Sequence, residues 1–362
     1  MKKNKKIGKI TQKTTTTIPN PFDISSHKTE RTVAAILMHW MRQIIEKQNL
    51  DLGLPDIETG GEDHRFPDTV IYKTQRSQDI LCVLEFKPPF WDPFREDDPK
   101  EPARKKATSR HAKYFATSNF RELILWNTEK VNAAKPEEEQ IINRYHLSEI
   151  YDINLIEENR YKASIINALE KFLNDLFELS IGVKAEPRLA IDELLIWRLQ
   201  EKIHKLAYYY QGLIYNEAHK NKNFVKSLAK WFNEQGWNFY IENEDDYQRV
   251  ARQTAYLLVN KMLFYNALQL KRPEKLDPLK IPDDITQGGL LKSVLQGYFE
   301  EVLKIDYETI YTTDFIDDVA FQDSREVVDE IKELVNVLRR YDFSTLGFDV
   351  IGRIFERLIP ET

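Results

Sequence analysis

Asp68, Glu85 and Lys87 are two carboxylates and an amine that a simple β-pattern can bring together. In the run Ile80–Lys87 the period of two places Cys82, Leu84 and Phe86 on one wholly apolar face. Leu81 and Val83 begin the other face, which ends in Glu85 and Lys87. Charges at the end of an otherwise buried strand need partners. Pro67-Asp68 precedes a second β-type run, Thr69–Lys73. A hairpin centred between Arg76 and Ser77 makes positions adding to 153 face each other, which sets Asp68 across from Glu85. Opposed side chains have Cβ atoms roughly 4.5–5.5 Å apart, near enough for two carboxylates to share a cation. Two hard oxygen ligands, with water and phosphate completing the shell, suit Mg²⁺, with Mn²⁺ as a substitute. Such an ion would polarise a phosphodiester and activate water, while Lys87 orients that water or stabilises the growing charge. The plainer alternative is that a Glu-x-Lys at a strand end is common and that lysine guards sheet edges.

The elements that would position these groups are legible as periodicities. Val33, Ile36, Leu37, Trp40, Met41, Ile44 and Ile45 recur at helical spacing and predict a helix from Glu30 to Lys47. The two β-type runs follow, and a loop with Pro88, Pro89, Pro93, Pro99 and Pro102 ends the second. Residues 103–117 read as a helix and Glu122–Trp126 as a strand. This order predicts an α/β sandwich with a mixed sheet flanked by helices. From about residue 160 the pattern is helical: Ile165–Leu179, Ile191–Tyr215, Phe224–Glu234, Tyr247–Leu268, Leu290–Leu303 and Val327–Leu338. The periodicity breaks near Gly182–Pro187. The expected division is a basic arm over 1–28, an α/β domain over 29–184 and an all-helical domain over 185–362.

Composition removes several alternatives. A chain of 362 residues with 42% hydrophobic and 12% aromatic content can fill two cores. No apolar run approaches the roughly 20 residues of a membrane span, and no apolar segment follows the N-terminal lysines as in a secretory signal. The single cysteine, Cys82, excludes an intramolecular disulfide and a cysteine-rich zinc cage. The expected setting is therefore soluble and cytoplasmic, with no membrane partner. The seven histidines lack zinc-ligand spacing, and the Gly-Gly pairs at 60–61 and 288–289 lack a nucleotide-binding frame. Net charge is −6, yet residues 1–180 hold 28 Lys+Arg against 28 Asp+Glu, so the acidic excess lies in the second half. A neutral first half can still present a basic face to phosphate.

Pro67-Asp68 with Glu85-x-Lys87 resembles the signature of PD-(D/E)xK nucleases, in which the Asp and Glu hold metal and the Lys assists the nucleophile. Leu84-Glu85-Phe86-Lys87-Pro88-Pro89 and Tyr114…Leu123-Ile124-Leu125-Trp126-Asn127 extend the likeness. Together, residues 62–127 resemble the nuclease domain of type IIG-like restriction–modification enzymes, which join cleavage and adenine methylation in one polypeptide. Gln253–Tyr265 looks like part of their helical connector, and Leu346–Ile359 is similar to the stretch before their methyltransferase domain. No Asn-Pro-Pro-Tyr or Asp-Pro-Pro-Tyr motif occurs, so S-adenosylmethionine would enter only through a methyltransferase domain or subunit outside this chain.

The resemblance implies a restriction-endonuclease-like fold and an Mg²⁺-dependent endonuclease acting on double-stranded DNA. It places Glu30 as an accessory metal ligand, against the alternative of an ordinary helix N-terminal acid. Arg110-x-x-x-Tyr114 stands where many members carry Gln-x-x-x-Tyr, so the glutamine is absent. Arg104, Lys105, Lys106, Arg110 and Lys113 have no acid among residues 104–113; with Tyr114 they form the expected DNA-binding set, a solvated helix face being the alternative. Two other functions stay open: a non-catalytic DNA-binding or scaffold subunit of a restriction–modification complex, and a related nuclease of DNA repair or RNA processing.

Overall fold

The computed structural model describes residues 28–57, 67–187, 191–304, 315–321, 323–341, 343 and 348–358. The lysine-rich arm before Lys28, the glycines at 60 and 61, and His64 and Arg65 lie outside the described residues.

Helix α1 (Glu30–Gln48) buries Val33, Leu37, Trp40, Met41, Ile44 and Ile45, the stripe that its periodicity predicts. Thr29 caps its start by accepting the N–H of Thr32, and Asn49 ends it in the left-handed conformation that asparagine tolerates. Strands β1 (Thr69–Tyr72) and β2 (Ile80–Phe86) pair antiparallel, with Thr69 opposite Leu84, Val70 opposite Val83 and Ile71 opposite Cys82. That is the expected register, broken only near the turn, where Tyr72 faces Ile80. Pro88 and Pro89, which carry no N–H, follow the strand end.

The segment expected as one helix over 103–117 needs correction. Helix α2 spans Glu101–Ser109, with Pro102 in its first turn. The chain leaves it at Arg110, His111 takes a φ of 52°, and Tyr114–Ser118 form strand β3. β3 runs parallel to β2, with Cys82 beside Tyr114 and Phe86 beside Ser118, so α2 is the crossover such a pair requires. β4 (Glu122–Asn127) and β5 (Ile141–His146) add antiparallel neighbours. The five-stranded mixed sheet has the order β1-β2-β3-β4-β5. Short helices α3 (Thr128–Asn132) and α4 (Glu137–Gln140) bridge the last two strands.

One face of the sheet packs Ile71, Cys82, Leu84, Phe86 and Leu125 against α1 and helix α5 (Asn159–Ser180). The other packs Val70, Val83, Phe115, Ile124 and Trp126 against Ala103 and Ala107 of α2. Strand β2 therefore divides its side chains as its period predicts, except that Leu81 joins the first core.

All described elements from Ile191 onward are helical: α6 (Ile191–Lys220), α7 (Lys222–Glu234), α8 (Glu244–Lys271), α9 (Gly288–Leu303), a short 3-10 turn, α10 (Arg325–Arg339) and α11 (Phe348–Leu358). They share a core that runs from Leu195 to Leu358, built around the packing of α6 on α8. Leu194, one residue earlier on α6, belongs instead to the sheet core with Trp126. Among the described residues no helix is long and apolar enough to cross a membrane.

Candidate active site

The end of β2 assembles the charged residues. The observed register sets Asp68, just before Thr69, level with Glu85 on the face that looks toward α2. Asp68 Oδ2 accepts the backbone N–H of Phe86 at 2.8 Å, which fixes the first carboxylate against the middle of Glu85-Phe86-Lys87. Glu85 is buried, and its Oε2 accepts a hydrogen bond from Lys106 Nζ at 2.5 Å. Lys87 Nζ lies 3.2 Å from Asp98 Oδ1 and 4.0 Å from Glu85 Oε1. It also lies 5.5 Å from the centre of the Trp91 ring. The Lys87 backbone continues the β2–β3 ladder by donating to Ser118 O at 2.8 Å, so the lysine leaves a rigid edge. Glu30 comes to the same place from the first turn of α1.

The electrostatics record this crowding of acids. Burial, and then the charge of Asp68, push Glu85 up to about 7, although Lys106 and Lys87 pull the other way. Burial and Asp68 also push Glu30 up to about 7, with Glu85 and Asp98 adding to the effect. Burial would lower Lys87, but its hydrogen bond with Asp98 and the neighbouring carboxylates outweigh burial and hold it above the ordinary lysine range. Glu30, Asp68, Glu85 and Asp98 thus share the site with Lys87 and, at Glu85, with Lys106, more negative charge than the site carries comfortably.

A divalent cation would relieve that excess, and carboxylate oxygens are the hard donors that Mg²⁺ prefers. Among the described residues no three acidic, histidine or cysteine side chains close into a metal-binding group. Asp68 and Glu85 would be the two carboxylates to share such an ion, with water and a phosphate oxygen completing its shell. A cleft of about 730 Å³ lies elsewhere: it opens between the Phe90–Asp97 loop, α6 and α10, and none of Asp68, Glu85 or Lys87 lines it.

The basic residues expected on one helix are dispersed. Arg104 makes two hydrogen bonds to Glu101, at 2.6 and 2.7 Å, and Lys105 lies 3.0 Å from the same carboxylate. Glu101 sits just before the acid-free window, which hid this pairing. Lys106 points inward to Glu85. Arg110 sits at the end of α2 and donates to Lys106 O and Ser109 Oγ. Lys113 and Tyr114 are not on the helix at all. Tyr114 is buried at the start of β3 and its hydroxyl donates to Glu186, which also lies 3.7 Å from Lys113. The chain turns back into the sheet at His111, so these two leave the helix face expected to carry them.

Two members of the cluster escaped sequence reasoning in their present roles. Asp98 lies in the proline-rich loop, with no periodicity to tie it to Lys87. Lys106 was legible as a cation but not as the partner of Glu85, because that contact depends on how α2 crosses the sheet.

No family model and no curated protein matches the chain. Among solved structures it is similar to the type IIG restriction endonuclease BpuSI, with 11% identity and a TM-score of 0.35, over 88% of this chain and 31% of that one.

Proposed function

We propose that this chain is an Mg²⁺-dependent DNA endonuclease of the PD-(D/E)xK type. The carrying observation is the convergence of Asp68, Glu85 and Lys87 at one end of β2, with Asp68 bonded to the backbone between the other two. Asp68 and Glu85 would hold the ion, with Glu30 near enough to sense both of their charges. A bound Mg²⁺ supplies polarisation of the phosphodiester and a more acidic water. Lys87, kept protonated by Asp98 and its other neighbours, is suited to donate hydrogen bonds to phosphate oxygens as their charge grows.

The restriction–modification setting, with a partner domain or subunit that methylates adenine from S-adenosylmethionine, rests on the sequence likeness around residues 67–126 and 253–265. Co-purification with a methyltransferase activity would support it. The nuclease itself is tested by incubating duplex DNA with the protein and Mg²⁺ or Mn²⁺, against an EDTA control. Cleavage that persists in EDTA, or that Lys87→Ala leaves at the wild-type rate, would sink the assignment. One observation favours a second reading, a non-catalytic DNA-binding subunit: Glu85 already has an ammonium partner in Lys106. DNA binding without metal-dependent cleavage would select it.

A further inference from the structure

The Lys106–Glu85 contact is buried on both sides, with side-chain exposures of 11% and 7%. It is also built by the helix itself. Ala103, Lys106 and Ala107 occupy the inner face of α2 at i, i+3 and i+4, and all three are buried. The two alanines let the helix lie close on Val83 and Phe115, and the lysine between them is aimed at the one carboxylate on that face of β2. The neighbouring cations behave differently: Arg104 and Lys105 are paired with Glu101 on the outer side. A cation placed indoors on a proposed metal ligand has a consequence for that metal.

We infer that Lys106 is a resident counter-cation of the site, a positioning residue that holds Glu85 in the metal-free protein and with which a divalent ion must share or exchange that carboxylate. This rests on the metal-site reading of Asp68 and Glu85. Two cations that compete for one carboxylate are coupled negatively, so Lys106 weakens metal uptake. Coupling between sites is commonly worth about 5–150-fold in affinity. Without metal, Lys106 offsets part of the charge of Glu85; with metal, that duty passes to the ion.

The test is Mn²⁺ binding by calorimetry to the full chain without DNA, together with thermal unfolding in EDTA and in Mn²⁺. Lys106→Met and Lys106→Gln are expected to bind Mn²⁺ about tenfold or more tightly than wild type. Their unfolding midpoints should fall in EDTA and rise more than the wild-type midpoint when Mn²⁺ is added. Lys106→Gln keeps a donor for Glu85 while removing the charge, so it guards against simple collapse of the core. If Lys106→Met unfolds in EDTA, recovery in Mn²⁺ is the expected result. Equal or weaker Mn²⁺ affinity in Lys106→Gln, with binding still abolished by Glu85→Gln, overturns the role of Lys106 and leaves the metal site standing. No Mn²⁺ binding by any form at millimolar metal overturns the metal site, and this inference with it.

Discussion

Asp68 Oδ2 and the backbone N–H of Phe86 meet at 2.8 Å, so one proposed metal ligand is held by the strand that bears the other. Charge and geometry can be separated at this position. Asp68→Asn keeps an oxygen able to accept from Phe86 and should unfold within about 1 kcal/mol of wild type. Its cleavage rate should nevertheless fall by about 10²-fold or more, as should that of Lys87→Ala. Asp68→Ala should lose both activity and stability. Wild-type cleavage by Asp68→Asn would remove Asp68 from the chemistry.

Glu85 gives a pH prediction. The folded protein holds its proton up to about pH 7, whereas an ordinary glutamate releases it near 4.5. A raised carboxylate stabilises the fold at low pH, and that contribution is lost as pH rises through 7. In EDTA, Glu85→Gln should therefore gain stability relative to wild type between about pH 5 and pH 8.5, on the order of 2–3 kcal/mol. The readout is the difference between the two unfolding curves, which carries the titration of Glu85 together with its effect on Glu30. A difference that does not change with pH counts against the crowding of acids at this site.

A third prediction concerns the junction between sheet and helices. Arg121, at 0% side-chain exposure, lies 3.1 Å from Glu201 of α6, at 1%. Arg121 and Asn119 also donate to Pro89 O, and Asn119 to Trp91 O, so the pair supports the loop that follows Lys87. Glu201→Ala should cost about 3–5 kcal/mol, because it strands a buried guanidinium. Arg121→Met combined with Glu201→Leu should recover much of that loss. Strictly additive losses in urea titrations would show that the two charges do not depend on each other.

Arg104 and Lys105 lie on the outer side of α2, next to Glu101. Reversing both to Glu should weaken binding to every duplex alike and lower the salt slope by about 0.9 for each phosphate no longer neutralised. Unchanged affinity and slope would mean that Glu101 and solvent fully occupy this face.

Much of this was legible in the sequence because it depends on short-range periodicity. The stripe of α1, the split faces of β2 and the Asp68–Glu85 register all follow from spacings of 3.6 or two residues. Strand β3 was not legible: Lys113, Tyr114 and Ala116 continue a plausible helical pattern, and the break comes at His111 in a positive φ without a glycine to announce it. Strand β5 was also missed, although Ile141–His146 carries β-type residues; its exposure is mixed along both faces. The contacts of Lys106 with Glu85 and of Asp98 with Lys87 join segments whose approach is set by the crossover, which no local pattern encodes.

Helix α6 serves both halves at once. Its Leu194 fills the sheet core, while its residues from Leu195 fill the helical one. Glu201 and Lys202 reach back to Arg121 and Asp92. At about 1.5 Å per residue, its 30 residues form a rod some 45 Å long. The halves are consequently not interchangeable modules. A chain ended at residue 184 would lose a piece of its own interior and two counter-charges, and a foreign partner grafted there would have to replace them before the loop behind Lys87 could keep its shape.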